Sequence, residues 1–209
     1  MNSFFYSEDM VGGYGGENIL NNCGISVNKG EISVIVGPNG AGKSTAMKAM
    51  LGMLSLSHGK VVLDNEEITK LSPQDRVAKG ISFVPQTMNI FNELSVKENL
   101  RYFMALNKSD RPLEKIDQCA HVFQAGALLE KTFSELSSGQ MQLISIMRGI
   151  LEEPMVLLLD EALVNLDKEM LNIVSFFLEN FVSKEGRLVI ICSHNVNLPF
   201  QFKEVIELS

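Results

Sequence analysis

The feature that most constrains this chain is a glycine-rich segment at residues 37–45, GPNGAGKST. It contains the pattern G-x-x-x-x-G-K-[ST] and lies between an apolar run at 31–36 and a helical pattern at 43–54. Glycines let the backbone turn tightly and aim successive N–H groups at one point, and the helix N-terminus that follows favours an anion there. The segment therefore predicts a strand, a phosphate-binding loop and a helix, and with them the binding of a nucleoside triphosphate.

Two side chains at the end of this segment have predicted roles. Lys43 is placed to reach the β and γ phosphates, and the Ser44 hydroxyl is placed to hold Mg²⁺.

The rest of the chain alternates between short apolar runs and helical patterns. Residues 31–36, 155–160 and 188–193 are typical of fully buried strands of a parallel sheet. Further strands are predicted at 60–64, 81–86 and 204–209, and further helices at 95–107, 112–125, 139–151 and 168–182. Ser95 and Glu98 form a capping-box pattern, and Pro112 is typical of a first helical turn. This order predicts an α/β nucleotide-binding core with a mostly helical block over about 87–151.

Composition limits the function classes. The chain has 209 residues, 45% of them hydrophobic and 21% charged, which is enough for one domain that folds without disulfides. A net charge of −7 argues against a dedicated nucleic-acid binder. Cys23, Cys119 and Cys192 contain no Cys-x-x-Cys pair, so we expect buried thiols and a reducing compartment.

The longest apolar runs fall far short of the ~20 residues that span a bilayer, and the N-terminus lacks the features of a signal peptide. Any membrane role is expected to come through a partner.

One tetrapeptide raises the alternative of a guanine-nucleotide-binding protein. Residues 107–110, NKSD, match the guanine-reading N-K-x-D pattern. They follow a helical segment rather than a buried strand, and no D-x-x-G motif lies between 45 and 107. We interpret NKSD as a solvated helix end.

Two more segments contain residues with predicted roles in binding and hydrolysis. The apolar run at 155–160 ends in Asp160 and is followed by Glu161. Beside a phosphate loop, the first carboxylate can hold Mg²⁺ through water and the second can orient an attacking water. The segment LSSGQMQ at 136–142 places Ser137, Ser138 and Gly139 before a helix, where free N–H groups and hydroxyls can contact an anion.

With these motifs in this order, the chain resembles the ATP-binding cassette (ABC) family over about 14–209. GPNGAGKST resembles the family's Walker A, VLLLDE its Walker B and LSSGQ its signature sequence. The resemblance implies a single ATP-binding domain over 1–209: a P-loop core of about 1–86 and 152–209 with a mainly parallel sheet, an N-terminal antiparallel β part, and a helical subdomain of about 87–151.

The resemblance also implies roles for individual residues. Glu161, His194 and Gln86 are implied as catalytic, and Ser44, Gln86 and Asp160 as the residues that hold Mg²⁺. The implied ATP contacts are Tyr14 against adenine and Gly37, Pro38, Asn39, Gly40, Ala41, Gly42, Lys43, Ser44, Thr45, Ser137, Ser138, Gly139, Gln140 and Asp167. Asp167 also has the position of a helix N-cap.

The implied function is that of a transporter ATPase. Two copies, or this chain and a homologue, are expected to close head to tail on two ATP and to drive integral membrane permease subunits from the cytoplasmic face. Phe91, Leu94 and Tyr102 are candidates to line the permease groove. Residues 68–100 resemble importers of the branched-chain amino-acid type, whereas the short length and LSSGQ resemble haem-exporter-type ATPases, and we expect a minimal cassette.

Two alternatives stay open. Ser138 replaces a glycine of the signature, and ALVNLD at 162–167 replaces a usual proline and small residues. These departures raise the alternative of a degenerate cassette that binds ATP as a structural clamp. The other alternative is a soluble ABC ATPase without a transport role.

Overall fold

The computed structural model describes residues 3–87, 90–107, 110–184, 186–194 and 198–208, and within these a five-stranded parallel sheet forms the centre of the fold. Its strand order is β6-β7-β8-β3-β9. The strands are β3 (Ile32–Val36), β6 (Ile81–Val84), β7 (Val156–Asp160), β8 (Leu188–Cys192) and β9 (Glu204–Glu207). The three runs predicted as buried strands are therefore the three inner strands β3, β7 and β8.

The inner strands separate two hydrophobic clusters because successive side chains of a strand point to opposite faces. Leu157, Leu159 and Ile191 belong to the cluster on the side of the helical block. Leu158 and Ile190 belong to the cluster on the other side. Strands that are buried on both faces explain why these segments read as continuous apolar runs rather than as alternating patterns.

A second, antiparallel sheet covers the other cluster. Its order is β2-β1-β4-β5, from β1 (Phe5–Tyr14), β2 (Glu17–Val27), β4 (His58–Leu63) and β5 (Glu66–Glu67). Gly15 and Gly16 turn β1 into β2 with φ of 63° and 89°, a conformation that favours glycine at both central positions of the turn. This sheet confirms the N-terminal antiparallel part that the family resemblance implies.

The helices follow the predicted pattern closely. They are α1 (Lys43–Leu51), α2 (Pro73–Ala78), α3 (Val96–Leu106), α4 (Pro112–Val122), α5 (Ser138–Ile150) and α6 (Lys168–Ser183), with short 3₁₀ turns at Gly126–Leu128 and Phe133–Glu135. The predicted capping box of α3 is confirmed: the Ser95 N–H donates to Glu98 Oε2 at 2.8 Å, and the Glu98 N–H donates to Ser95 Oγ at 3.2 Å. Among the α-helices of the described residues, the six-residue α2 is the one without a prediction.

A buried arginine joins α1 to α2. Arg76 is 2% exposed, and its guanidinium donates to the carbonyls of Ala49 at 3.0 Å, Met50 at 2.7 Å, Thr69 at 2.7 Å and Leu71 at 3.3 Å. Two of these carbonyls lie in the last turn of α1, where a cation is favoured by the helix dipole. Arg76 therefore fixes the far end of the helix that begins at the phosphate loop.

Three smaller expectations have outcomes here. All three cysteines are buried, free thiols, as predicted. Within NKSD, Asn107 is the C-cap of α3 and follows a helix rather than a strand, while Lys108 and Ser109 lie outside the described residues. Among the helices of the described ranges, none is long and apolar enough to span a membrane.

Candidate nucleotide-binding site

The glycine-rich loop has the backbone conformation that the motif predicts. Gly40 and Gly42 both have φ of 90°, in the left-handed region that L side chains rarely adopt. A Cβ at Gly42 would also lie 3.2 Å from side-chain atoms of Ile19 and Leu20. Gly42 is the N-cap of α1 and has no side chain to accept from the first-turn N–H groups. These groups therefore remain available to an anion.

Lys43 is folded against the loop. It is only 5% exposed, and its Nζ donates to the Gly37 carbonyl at 2.8 Å and to the Pro38 carbonyl at 3.0 Å. The ammonium is thus desolvated and held beside the loop N–H groups, where a buried positive charge interacts strongly with a phosphate.

Ser44 and Asp160 meet although they are 116 residues apart. The Ser44 hydroxyl donates to Asp160 Oδ1 at 2.8 Å. Burial raises the pKa of Asp160, and the negative charge of Glu161 acts in the same direction, while the Ser44 hydrogen bond and the positive charges of Lys48 and Lys43 oppose it. Asp160 is only 3% exposed, so burial is the larger influence.

Glu161 stands at the end of β7 in an unusual conformation. Its φ is 50°, which is left-handed for a non-glycine residue, and its N–H donates to the Cys192 carbonyl at 3.1 Å. Gln86, just after β6, donates from Nε2 to Glu161 Oε2 at 3.2 Å. The carboxyl ends of β6 and β7 are neighbours in the parallel sheet, which is why these two side chains meet. Strained residues of this kind cluster at functional sites.

Most of these residues line one cleft of about 360 Å³, although Gly37, Pro38, Ala41 and Asp160 are not part of its lining. Its walls are formed by Ile19, Asn39, Gly40, Gly42, Lys43, Ser44, Thr45, Gln86 and Glu161. Ile19 is the one lining residue absent from the sequence-based predictions. It lies on β2, and its packing against Gly42 depends on the antiparallel sheet.

The start of α5 has a capping box formed by its own residues. The Gln140 N–H donates to Ser137 Oγ at 3.2 Å, and the Ser137 N–H donates to Gln140 Oε1 at 3.0 Å. Ser138, which stands where the family's signature sequence has a glycine, is the first helical residue of α5. It is not one of the residues with positive φ in the described chain. A serine therefore fits at 138 without backbone strain. Gly139 is different, because a Cβ there would lie 2.7 Å from the Asn165 carbonyl oxygen.

The remaining predicted residues lie outside the lining of the cleft in the described part of the chain. Tyr14 is at the tip of the β1–β2 hairpin and is 49% exposed. Asp167 is the N-cap of α6, with Oδ1 accepting from the Met170 N–H at 2.9 Å. His194 follows β8 and is exposed. Ser137, Ser138 and Gln140 belong to the α5 start described above.

The side chains around Asp160 have the chemistry of a magnesium site. The Ser44 hydroxyl and the Asp160 carboxylate supply two oxygens in direct contact, and Gln86 adds an amide oxygen from the neighbouring strand end. Hard oxygen donors with few protein ligands suit Mg²⁺, which keeps several waters and binds beside phosphates. The donor set therefore fits this ion.

Comparison with known proteins agrees with this geometry. The family model described as "ABC transporter" matches residues 20–164, more than half of the chain. The lipopolysaccharide export system ATP-binding protein LptB of Haemophilus influenzae is 29% identical over 197 residues, which cover 93% of this chain and 81% of that protein. The probable branched-chain amino acid transport ATP-binding protein LivF of Archaeoglobus fulgidus is 32% identical over 163 residues, 78% of this chain and 69% of that protein.

A solved structure shares the fold. The dimeric structure of MJ0796, a bacterial ABC transporter cassette, superposes with a TM-score of 0.87 and covers 98% of this chain and 94% of that one, at 23% identity. The names of the two relatives include an export system and an amino-acid transporter, so the subfamily stays open. The loop, the two strand-end carboxylates and the family match agree, and the chain belongs to the ABC transporter family as one of its ATP-binding cassettes, which are ATPases.

Proposed function

We propose that this chain binds and hydrolyses ATP as a cassette subunit that dimerises head to tail and drives a membrane permease. The contact that carries the proposal is the 2.8 Å hydrogen bond between Ser44 and Asp160, because it joins the phosphate loop to the acidic strand end. The working unit is a single domain over 1–209, with a core of about 1–86 and 152–209 and a helical subdomain of about 87–151.

The loop is the ATP phosphate site. The N–H groups of 37–45 and the α1 N-terminus bind the β and γ phosphates, and Lys43 exchanges its loop carbonyls for phosphate oxygens. Tyr14 packs against adenine from the hairpin tip. Its half-exposed ring is able to stack without first leaving the core.

Ser44, Asp160 and Gln86 would hold Mg²⁺, which neutralises charge on the phosphate oxygens when bound. Glu161 orients the attacking water and accepts its proton, and His194 assists at the γ-phosphate. For this, Gln86 has to release the Glu161 carboxylate that it contacts at 3.2 Å. Gln86 therefore couples the base to the metal site.

The second half of each site comes from a second subunit. Ser137, Ser138, Gly139, Gln140 and Asp167 lie outside the lining of this chain's own phosphate cleft in the described residues. In a head-to-tail pair, the exposed hydroxyls at the α5 start would reach the γ-phosphate held by the partner. The dimeric state of the cassette MJ0796 supports this arrangement.

The permease would dock beside Gln86. Phe91 and Tyr102 are 51% and 49% exposed, with rings in edge contact at 5.0 Å, whereas Leu94 is half-buried. A neighbouring groove of about 760 Å³, whose described lining does not include these three residues, is lined by apolar residues such as Met53 and Phe103 and also by Gln86 and Asp160. A helix of a permease in this groove would contact the catalytic cleft, and the chain would then lie on the cytoplasmic face of the membrane.

The test is Glu161→Gln, measured as Mg²⁺-ATPase activity against protein concentration and as mass by light scattering. We expect wild-type specific activity to rise with concentration. The variant should bind ATP, lose hydrolysis by at least about 100-fold, and accumulate as a dimer. Glu179→Gln, the same change at an exposed position of α6, should behave as wild type. Normal turnover by Glu161→Gln would refute the role of Glu161. Concentration-independent, near-zero wild-type activity would favour either the degenerate clamp or an obligate partner subunit.

A further inference from the structure

A second cleft, of about 590 Å³, lies at the opposite edge of the parallel sheet from the phosphate loop. It is bounded by α4, the end of α5 and the end of α6. Two of its lining residues, Glu153 and Arg187, precede β7 and β8, whereas Asp160 and Glu161 stand at the other end of β7. A five-residue strand separates the two edges by about 16 Å. Among the described residues, the two clefts share no lining residue.

Three phenylalanines form the floor of this cleft. Phe123 and Phe181 are almost fully buried, and Phe177 lies between them with ring centroids 4.9 Å and 5.7 Å away. Of these three rings, that of the half-buried Phe177 is the accessible one, and the exposed Val122 adds apolar surface to the lining for an apolar body of matching shape. The cleft volume is within the range of small-molecule sites, which are mostly apolar with a few placed polar groups.

One cation is positioned over this floor. The side chain of Arg187 is 18% exposed, and its guanidinium carbon lies 4.9 Å from the centre of the Phe181 ring. Among the described residues, the carboxylate paired with it is that of Glu153, which is 67% exposed and, at 3.9 Å, beyond hydrogen-bond distance. The guanidinium is therefore oriented by the ring and only loosely neutralised.

The rim adds further charge of both signs. Arg111, Lys115 and Lys184 line it together with Asp110 and Glu114. Arg111 and Glu114 form an exposed pair at 3.4 Å, with 80% and 53% of their side chains accessible. Exposed pairs of this kind contribute little stability, so an incoming anion can recruit the arginine at small cost. Arg187 is half-buried and positive, whereas the three acids that line the cleft, Asp110, Glu114 and Glu153, are exposed.

We propose that this cleft binds an organic anion that has an apolar, ring-containing body and a single carboxylate, sulfonate or phosphate. The body packs on Phe177 and Val122, and the anionic group makes the paired hydrogen bonds with Arg187 that planar guanidinium geometry favours. Because the cleft lies at the other sheet edge, such a ligand binds together with nucleotide rather than in its place.

The probe is 8-anilinonaphthalene-1-sulfonate, an aromatic sulfonate whose fluorescence rises in apolar sites, titrated into the full chain with and without saturating MgADP. We expect saturable binding that is unchanged by MgADP. Arg187→Gln should weaken it at least about tenfold, since it removes a charged hydrogen-bond donor. Gln118→Trp, at an exposed position of α4 that lines the cleft, should abolish binding by filling the space. Arg101→Gln makes the same charge change on exposed α3 and should have no effect.

Circular dichroism and ADP affinity verify that each variant is folded, and Gln118→Trp carries the test alone if Arg187→Gln does not fold. Displacement of the probe by MgADP would place it in the nucleotide cleft and overturn the proposal. Binding that survives Gln118→Trp unchanged would also overturn it, because it would indicate unspecific adsorption to apolar surface.

Discussion

The N-terminal ends of α1 and α5 differ in construction, although the family resemblance assigns both to phosphate contacts. The α1 end begins at Gly42 in a left-handed conformation and leaves its first N–H groups open. The α5 end begins at Ser137, whose side chain and that of Gln140 satisfy each other's backbone N–H groups. Beside the open end lie a buried lysine and a buried aspartate, whereas both serines at the capped end are exposed.

This difference shows that one helix start is preorganised to bind an anion and that the other stabilises its own helix. The α1 end is arranged for an anion at the expense of helix capping, with two glycines at φ of 90° and a desolvated ammonium. The α5 end is a stable helix start in the single chain and offers only its remaining N–H groups and the Ser138 hydroxyl to a ligand. We therefore expect one chain to bind nucleotide mainly through α1, with α5 contributing across a dimer.

The largest effect should come from removing the cation of the α1 end. Lys43→Ala should weaken ATP binding by about 2–4 kcal/mol, or roughly 30- to 1,000-fold, because a desolvated charged contact to phosphate is lost. Titration with a fluorescent ATP analogue measures this. Lys168→Ala, an exposed lysine at the start of α6, is the matched control. An affinity unchanged by Lys43→Ala would break the comparison, because the open end would then not be the phosphate site.

The next effect concerns the close approach behind the α5 end. Gly139→Ala places a Cβ 2.7 Å from the Asn165 carbonyl oxygen, so helix and loop have to separate. We expect a loss of about 1–3 kcal/mol in the free energy of unfolding, typical of overpacking, together with reduced ATPase activity. Gly126→Ala is the control, because a Cβ there meets nothing within 4 Å. Thermal unfolding of both variants gives the answer, and equal melting temperatures would show that the 139–165 contact relaxes freely.

How far the sequence predicts this structure depends on how local the signal is. Features with a sequence pattern of fewer than ten consecutive residues were all predicted. They are the phosphate loop, the capping box of α3 and the three inner strands. The β1–β2 pair was implied only by the family resemblance, because register shifts between Ser7 and Met10 and again before Gly12 interrupt the alternation of a regular strand. The strand predicted at 81–86 ends at Val84, immediately before Pro85.

The candidate site shows the same division. Ser44 and Asp160 were predicted to cooperate because each stands where a buried strand gives way to a polar segment, and parallel strands bring such ends to one edge. Ile19 was missed because its role depends on the sheet that packs against the loop. Arg76 was missed because a buried guanidinium satisfied by four carbonyls leaves no acidic partner in the sequence to mark it.

A smaller effect should distinguish the two serines of the capped end. Ser137→Ala removes the acceptor of the Gln140 N–H and should lower the free energy of unfolding by about 1 kcal/mol, the usual value of an N-cap. Ser138→Ala should change stability by less than about 0.5 kcal/mol, since this exposed residue is already helical. Urea unfolding curves measure both. If Ser138→Ala were the more destabilising change, the serine that replaces glycine would be the structural one, and the assignment of Ser137 as the cap would fail.

The smallest effect concerns the stability that the folded chain loses because the ionised Asp160 carboxylate is buried beside the start of α1. Burial raises the pKa of Asp160 above its ordinary value of 3.8, so the folded state holds this proton more tightly than the unfolded state. The stabilising contribution of the neutral carboxyl is therefore complete below pH ~4 and is lost as the pH rises through the folded-state pKa. Asp160→Asn keeps an acceptor for the Ser44 hydroxyl and has no such titration. The melting temperature of Asp160→Asn should thus rise relative to that of the wild type as the pH increases above ~4, while Mg²⁺-ATPase activity is lost. A difference that stays constant with pH would mean that burial of the ionised Asp160 carboxylate costs no stability. The open end of α1 would then be as stable as the capped end of α5.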